Sequence, residues 1–148
     1  MANWNTQFDS VMELNRELPL FDTFDADVES WIDASSGTGS ISHNASGHLN
    51  VTDTGAGEGI AQKQLSGLAV NGIYLLSFDT LTNADGEFRV GTTANASDIL
   101  NQTALAIGSH RFEFTTTQED PHLSLHITGA NTNKTVGFDN IRIVRISR

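Results

Sequence analysis

The chain has 148 residues and no cysteine, and its 18 acidic side chains outnumber its 8 lysines and arginines, giving a net charge of −10. This length fits one domain, or one domain with an arm, and the lack of cysteine excludes disulfide and thiolate chemistry. The acidic balance excludes bare nucleic acid as a partner, because phosphate contacts need a basic footprint. No stretch of the sequence is apolar enough to cross a membrane, and no signal peptide is visible at the N-terminus.

The first 20 residues differ from the rest in their hydrophobic spacing. Their large apolar side chains recur at steps of three or four, which predicts one face of a helix. Pro19 ends the pattern, since the residue before a proline avoids helical backbone angles. We therefore divide the chain into an amphipathic arm, residues 1–20, and a domain, residues 21–148. The apolar face of the arm either packs on this domain or docks on a partner. Its side chains are Trp4, Phe8, Val11, Leu14 and Leu18.

Short stretches of alternating side chains follow the arm, separated by polar turns. Residues 73–80 are the most apolar of these stretches and are expected in the centre of a sheet. Residues 94–109 are expected to form a polar connection. The last stretch, residues 136–146, places arginines between β-branched residues, which is typical of a closing strand. About nine such strands without an interior helix predict an all-β fold, an antiparallel β-sandwich.

Alternation on these strands also predicts which polar side chains face outward. A cross-strand lattice of charges is one interpretation of this set, and hydrogen bonding to a sugar or a partner is the other. Apart from one histidine, the set offers no ring on which a sugar could stack. A glycosidase would need Asp79 and Glu113 to face one another, and we discount that arrangement. The predicted ligand face consists of Asp79, Arg89, Arg111, Glu113 and His126.

Several short motifs follow one another in a set order from about residue 24 to residue 146. They are Phe24-Asp25 before Trp31, residues 47–52, residues 65–68, residues 71–79, residues 110–117 and Gly137-Phe138-Asp139-Asn140-Ile141. Their order and spacing resemble the family 4/9 group of carbohydrate-binding modules. The resemblance implies a non-catalytic jelly-roll sandwich with a structural calcium ion near the first and last strands. On this sequence it points to Asp25 and Asp139, with Asp22 as a further ligand; the alternative is that Asp139 only caps a turn.

Two functions fit these features. The first is a structural or assembly module of a bacteriophage virion, a head decoration or tail-associated protein. The arm would bind other virion proteins, and the chain, made in the host cytoplasm, would form a homo- or hetero-oligomer. The alternative is an extracellular glycan-binding module of a secreted polysaccharide-degrading enzyme. The two are compatible, because a module on a virion surface can also contact host glycans. Neither is an enzyme, and neither binds nucleic acid or a membrane.

Overall fold

The computed structural model describes residues 19–130 and 132–146, and in these ranges it is all-β. The eleven strands of the described residues form two antiparallel sheets, one of six strands and one of five. They are β1 (Leu20–Asp22), β2 (Ile32–Asp33), β3 (Ser40–Asn44), β4 (His48–Thr52), β5 (Ala61–Gln64), β6 (Ile73–Leu81), β7 (Gly86–Gly91), β8 (Leu100–Leu105), β9 (Gly108–Thr115), β10 (His122–Ile127) and β11 (Thr135–Arg145). In the same ranges no helix has the length and apolar character needed to span a membrane. The predicted β-sandwich is therefore confirmed, whereas the helical arm lies outside the described residues.

The closing strand β11 is the centre of the six-stranded sheet. The strand order is β3-β4-β11-β6-β9, and β1 also pairs with β11. On one side, residues 135–138 of β11 pair with β4 and residues 141–143 pair with β1. On the other side, β11 runs along β6 for most of its length. The apolar strand β6 has a neighbour on both sides, as its composition predicts.

The core lies between the two sheets and is built from both. Phe78 of β6 and Phe88 of β7 belong to different sheets, and their ring centroids are 4.7 Å apart. Both side chains are almost completely buried, as is Phe138 of β11. Trp31 and Tyr74 are also buried. Burial of such large side chains contributes about 1.5–3 kcal/mol each.

A β-bulge interrupts the pairing of β11 with β6. Asp139 lies opposite Asp79, and Arg142 lies opposite Ser77, so β11 has one residue more than β6 between these pairs. Asn140 lies in the bulge and has a positive φ of 49°. This value falls in the left-handed region, which asparagine tolerates better than most residues. The bulge therefore reverses which residues of β11 face the core.

The bulge explains the irregular pattern of the closing strand. Phe138, Ile141 and Ile143 are all fully buried. Regular alternation counted from Phe138 would instead expose Ile141 and Ile143. In the sequence, the alternation of β-branched residues slips by one position at Val144, but the structure places the irregularity earlier, between Asp139 and Arg142. Val144 follows regular alternation, and Ile146 beyond it is exposed. Composition alone cannot locate a bulge, because the residues on either side keep their β-branched character.

Residues 94–109 are not merely a polar connection, since they contain β8. Among the described residues, this strand lies at the edge of the five-stranded sheet and pairs with β7. Three of its six side chains are exposed, and Leu105 is buried. Edge strands are often polar, so β8 lacks the apolar alternation by which strands are recognised. The jelly-roll topology and the domain boundary at residue 20 stay predictions. Leu20, which the sequence analysis assigned to the arm, is buried in β1.

Candidate functional site

The outer face of the six-stranded sheet carries an open depression of about 340 Å³. It lies over Ser77 in the middle of β6, where β11 and β9 run on either side. A volume of this size is at the lower end of the range for small-molecule pockets. The polar residues that line it are Ser77, Asp79, Ser109, His110, Arg111, Asn140 and Arg142.

Asp79 is held in place by two hydrogen bonds from neighbouring strands. The Ser109 hydroxyl donates to Oδ1 of Asp79 at 2.5 Å, and the Asn140 side-chain amide donates to Oδ2 at 2.9 Å. The bulge aims Asn140 at this carboxylate, and the backbone N–H of Asn140 donates to Oδ1 of Asp139 at 2.7 Å. The depression thus presents hydroxyl, amide and carboxylate groups in fixed positions.

Two arginines stand on either side of Ser77. Arg142 of β11 and Arg111 of β9 each lie directly opposite it on the paired strands. Both side chains are exposed, and neither forms a side-chain hydrogen bond or an ion pair with another described residue. Their guanidinium donors are therefore available to a ligand.

Phe21 continues this row at the edge of the sheet. It lies opposite Arg142 on the paired strand β1, and it is 56% exposed, while its neighbours Leu20 and Asp22 are buried. Directly opposite residues share a face, so Phe21 belongs to the same outer surface as the arginines. With adjacent strands 4.7–4.9 Å apart, the row from Phe21 to Arg111 spans about 15 Å.

Sequence reasoning missed Phe21 as a surface aromatic. A three-residue strand is too short for alternation to show which side chain points outward. The pairing of β1 with β11, which brings Phe21 beside the arginines, joins segments about 120 residues apart. In the sequence, the one sign that Phe21 is exposed is its place between Leu20 and Asp22. The burial of these two neighbours is known only from the structure.

The predicted ligand face is divided between the two sheets, and its treatment as one surface is wrong. Asp79, Arg111 and Glu113 lie on β6 and β9 of the six-stranded sheet. Arg89 and His126 lie on β7 and β10 of the five-stranded sheet. Alternation separates inward from outward side chains, but it does not say to which sheet a strand belongs.

The acidic pair considered for glycosidase chemistry is not assembled. Asp79 lies opposite Ser109, whereas Glu113 lies opposite Leu75, four residues away along β6. The predicted lattice of charges is also not found among the described residues, since neither Arg111 nor Glu113 takes part in an ion pair there.

Arg89 contacts the loop between β7 and β8, and His126 is buried near it. The Arg89 guanidinium donates to Glu87 at 2.5 Å and to the backbone oxygen of Asn95 at 3.3 Å, and Asn95 also accepts a hydrogen bond from Gln62. His126 is only 6% exposed. Its burial, together with the nearby charge of Arg89, lowers its pKa to about 4. Asn95, in the loop between β7 and β8, thus bridges Gln62 and Arg89 on this surface.

The three aspartates expected to hold calcium do not form one cluster. Oδ2 of Asp22 accepts hydrogen bonds from the Trp31 indole and the Lys63 ammonium, both at 2.7 Å. Asp139 is close enough to Asp25 for the charges to interact, and burial, with Asp79 and Asp25 nearby, raises the pKa of Asp139. Within residues 19–130 and 132–146, no group of three or more His, Asp or Glu side chains is arranged to hold a metal ion. The predicted docking residues of the arm lie outside these ranges.

No protein-family model matches the chain, and no curated protein matches it by sequence. Solved structures match by fold. BiXyn10A CBM1, a carbohydrate-binding module in its apo form, has a TM-score of 0.64 and 12% identity, over 86% of this chain and 98% of that one. A family 29 carbohydrate-binding module complexed with mannohexaose has a TM-score of 0.53 and 10% identity, over 84% of this chain and 89% of that one.

A bacteriophage protein also shares the fold. The enzymatically active domain of tailspike protein 4 of bacteriophage CBA120 has a TM-score of 0.60 and 8% identity, over 84% of this chain. The match covers 20% of the tailspike chain, so it concerns about a fifth of that protein. At these identities the comparisons establish the fold alone. The chain has the β-sandwich fold found in carbohydrate-binding modules and in part of a phage tailspike.

Proposed function

We propose that this protein is a non-catalytic glycan-binding module whose binding surface is the outer face of the six-stranded sheet. One observation carries the proposal: the exposed ring of Phe21 lies in the same row as a depression that offers fixed hydroxyl, amide and carboxylate groups. Sugar rings have apolar faces that stack on aromatic side chains, and their hydroxyls need hydrogen-bonding partners. Both requirements are met on this one surface.

Two further observations support this function. The fold is shared with carbohydrate-binding modules, one of them complexed with mannohexaose. Asp79 and Glu113 do not face one another, which argues against hydrolysis by this pair. The family 4/9 assignment is part of the proposal, because the modules compared above do not distinguish that group from others.

A glycan array followed by titration of the best ligands tests this function. We expect at least one polysaccharide to bind, and Phe21→Ala to weaken that binding about tenfold, because the ring would be partly buried under a sugar. Ile32→Ala is the matched control, since Ile32 is an exposed apolar side chain on β2 of the other sheet. Absence of binding to every glycan would rule the proposal out.

A virion-associated role, as a head decoration or tail-associated protein, is the second candidate. The likeness to the tailspike of bacteriophage CBA120 favours it. In this role the arm would bind other virion proteins, and the sandwich would display its glycan-binding face. The virion-associated candidate includes oligomerisation and location on a virion. The glycan-binding candidate includes location outside the cell.

A calcium ion between Asp25 and Asp139 remains a proposal, with Asp22 removed from the set of ligands. The Lys63 ammonium beside Asp22 would repel a cation. Asp25 and Asp79 instead place further negative charge near Asp139, and a cation there would relieve the repulsion between carboxylates.

A further inference from the structure

The two arginines beside the depression stand out from the other basic side chains of the described chain. Lys63, Arg89 and Lys134 are each neutralised by an acidic partner. Arg111 and Arg142 have no such partner among the described residues, although the protein carries a net charge of −10. Exposed arginines in so acidic a protein would be expected to attract a carboxylate of its own chain. These two remain available on one surface.

Their geometry suits a single anionic group held above Ser77. The strands that carry them flank β6 on either side, which separates their backbones by about 10 Å. Both side chains line the same depression, so their guanidinium groups can converge over its centre. A guanidinium presents a planar fork of N–H donors that matches the two oxygens of a carboxylate.

The neighbouring charge indicates how negative the ligand is. Asp79 lies in the same depression, and Asp139 lies opposite Asp79 on β11, close enough for the two charges to interact. These acidic side chains beside the two arginines favour a group with one negative charge, such as a carboxylate, over a phosphate that carries nearly two.

We propose that Arg111 and Arg142 bind the carboxylate of a uronic acid residue while Phe21 stacks on a sugar of the same chain. This inference rests on the proposed glycan-binding function and specifies its ligand. The protein's net charge of −10 repels densely charged polymers. The ligand is therefore a largely neutral polysaccharide that carries isolated uronic acid residues.

The test uses the full chain and pairs of polymers that differ only in charge. Affinity electrophoresis is run with glucuronoxylan and xanthan, each in its native form and after chemical reduction of its carboxylates. We expect a native polymer to retard the protein and its reduced form to bind at least tenfold more weakly. Arg111→Gln and Arg142→Gln should each lose about tenfold in affinity for the native polymer. Arg89→Gln, on the other sheet, should keep wild-type affinity, and thermal unfolding checks that every variant is folded.

The possible outcomes separate this inference from the function on which it rests. Equal binding of native and reduced polymers would overturn uronate recognition and leave glycan binding intact. Unchanged affinity in both Arg111→Gln and Arg142→Gln would likewise overturn it. Retardation by dextran sulfate but by no uronate polymer would identify the recognised group as a sulfate, against the proposal. If no glycan of either charge bound, on these gels or on the array, both the inference and the proposed function would fail.

Discussion

His126 is a buried imidazole on the side of β10 that faces away from the core. The sequence predicted His126 on an exposed ligand face, but its side chain is buried, as is that of Ser124. Asn95 of the loop between β7 and β8 accepts hydrogen bonds from Gln62 and Arg89, the two residues opposite Ser124. Nε2 of His126 has no hydrogen-bond partner among the described residues. The position of such a loop depends on tertiary contacts that alternation does not report.

The lowered pKa of His126 makes the stability of the fold depend on pH. The folded chain keeps the imidazole neutral down to about pH 4, whereas the unfolded chain takes up the proton near pH 6.5. Stability is therefore fully present above pH 6.5 and is lost as the pH falls towards 4, by up to about 3 kcal/mol. We expect urea unfolding at pH 7, 6, 5 and 4 to show this loss in the wild type and a smaller one in His126→Gln. Identical pH profiles for the two proteins would contradict the prediction.

Asp139 provides the test for calcium. Its pKa is raised, first by burial and then by Asp79 and Asp25, so the charged form costs stability at pH 7. Without calcium, we therefore expect Asp139→Asn to increase the free energy of unfolding at pH 7 and to reduce its fall as the pH rises above 3.8. With millimolar calcium chloride, the melting temperature of the wild type should rise and that of Asp139→Asn should not. An equal rise in both would place any bound ion elsewhere, and no rise in the wild type would exclude it.

At the scale of single elements, the bulge in β11 connects the fold to the candidate site. Asn140 adopts the left-handed backbone that the bulge needs, and its side chain donates to Asp79 in the depression. The same residue thus turns the apolar face of the strand to the core and fixes a group on the outer surface.

Substitutions at Asn140 separate these two roles. Asn140→Ala places a Cβ residue in the left-handed region and removes the hydrogen bond to Asp79, so we expect a loss of about 2–3 kcal/mol in unfolding free energy. Asn140→Gly keeps the backbone conformation free of strain and should lose only about 1 kcal/mol. Urea titration measures both values. An equal loss in the two variants would mean that the backbone conformation contributes nothing.

How far the elements could be predicted depends on whether their pattern is local. Alternation on β10 predicts that Leu123, Leu125 and Ile127 share the inner face, and all three belong to the core. The edge strand β8 was missed because its apolar side chains, Leu100, Ala104 and Leu105, do not alternate with polar ones. The candidate site was predicted only in part. Alternation along β6 and β9 identified Asp79 and Arg111, which lie on paired strands. Phe21 reaches the row through the pairing of β1 with β11, which joins distant segments of the chain.

At the scale of the whole molecule, the described residues contain one hydrophobic core. Its buried apolar residues run from Leu20 to Ile143 and come from both sheets. The chain has a net charge of −10, yet Arg111 and Arg142 have no acidic partner among the described residues and lie on one face of the sandwich.

Truncation tests both the division of the chain and the assembly role. Without residues 1–18, we expect cooperative unfolding within a few degrees of the wild-type midpoint, because β1 is kept. A deletion through residue 22 should lower the midpoint clearly, since it removes the buried Leu20 and the partner of Lys63. If the arm docks on a virion, the shorter deletion should abolish co-sedimentation with phage particles that take up the full chain. Retained co-sedimentation would contradict that role of the arm, and an unfolded product would contradict the domain boundary.

The central position of β11 also has a consequence for how the protein forms in time. β4, β6 and β1 all use this strand as their neighbour, yet it is the last of the described strands to be synthesised. Until residues 135–145 leave the ribosome, one edge of β4 and one edge of β6 lack a partner, and such open edges can pair with other chains. The pairing of β1 with β11 also closes a loop across most of the chain, which slows folding. The sandwich is therefore expected to assemble after its synthesis is complete, and a nascent chain that stalls before β11 would be prone to aggregate.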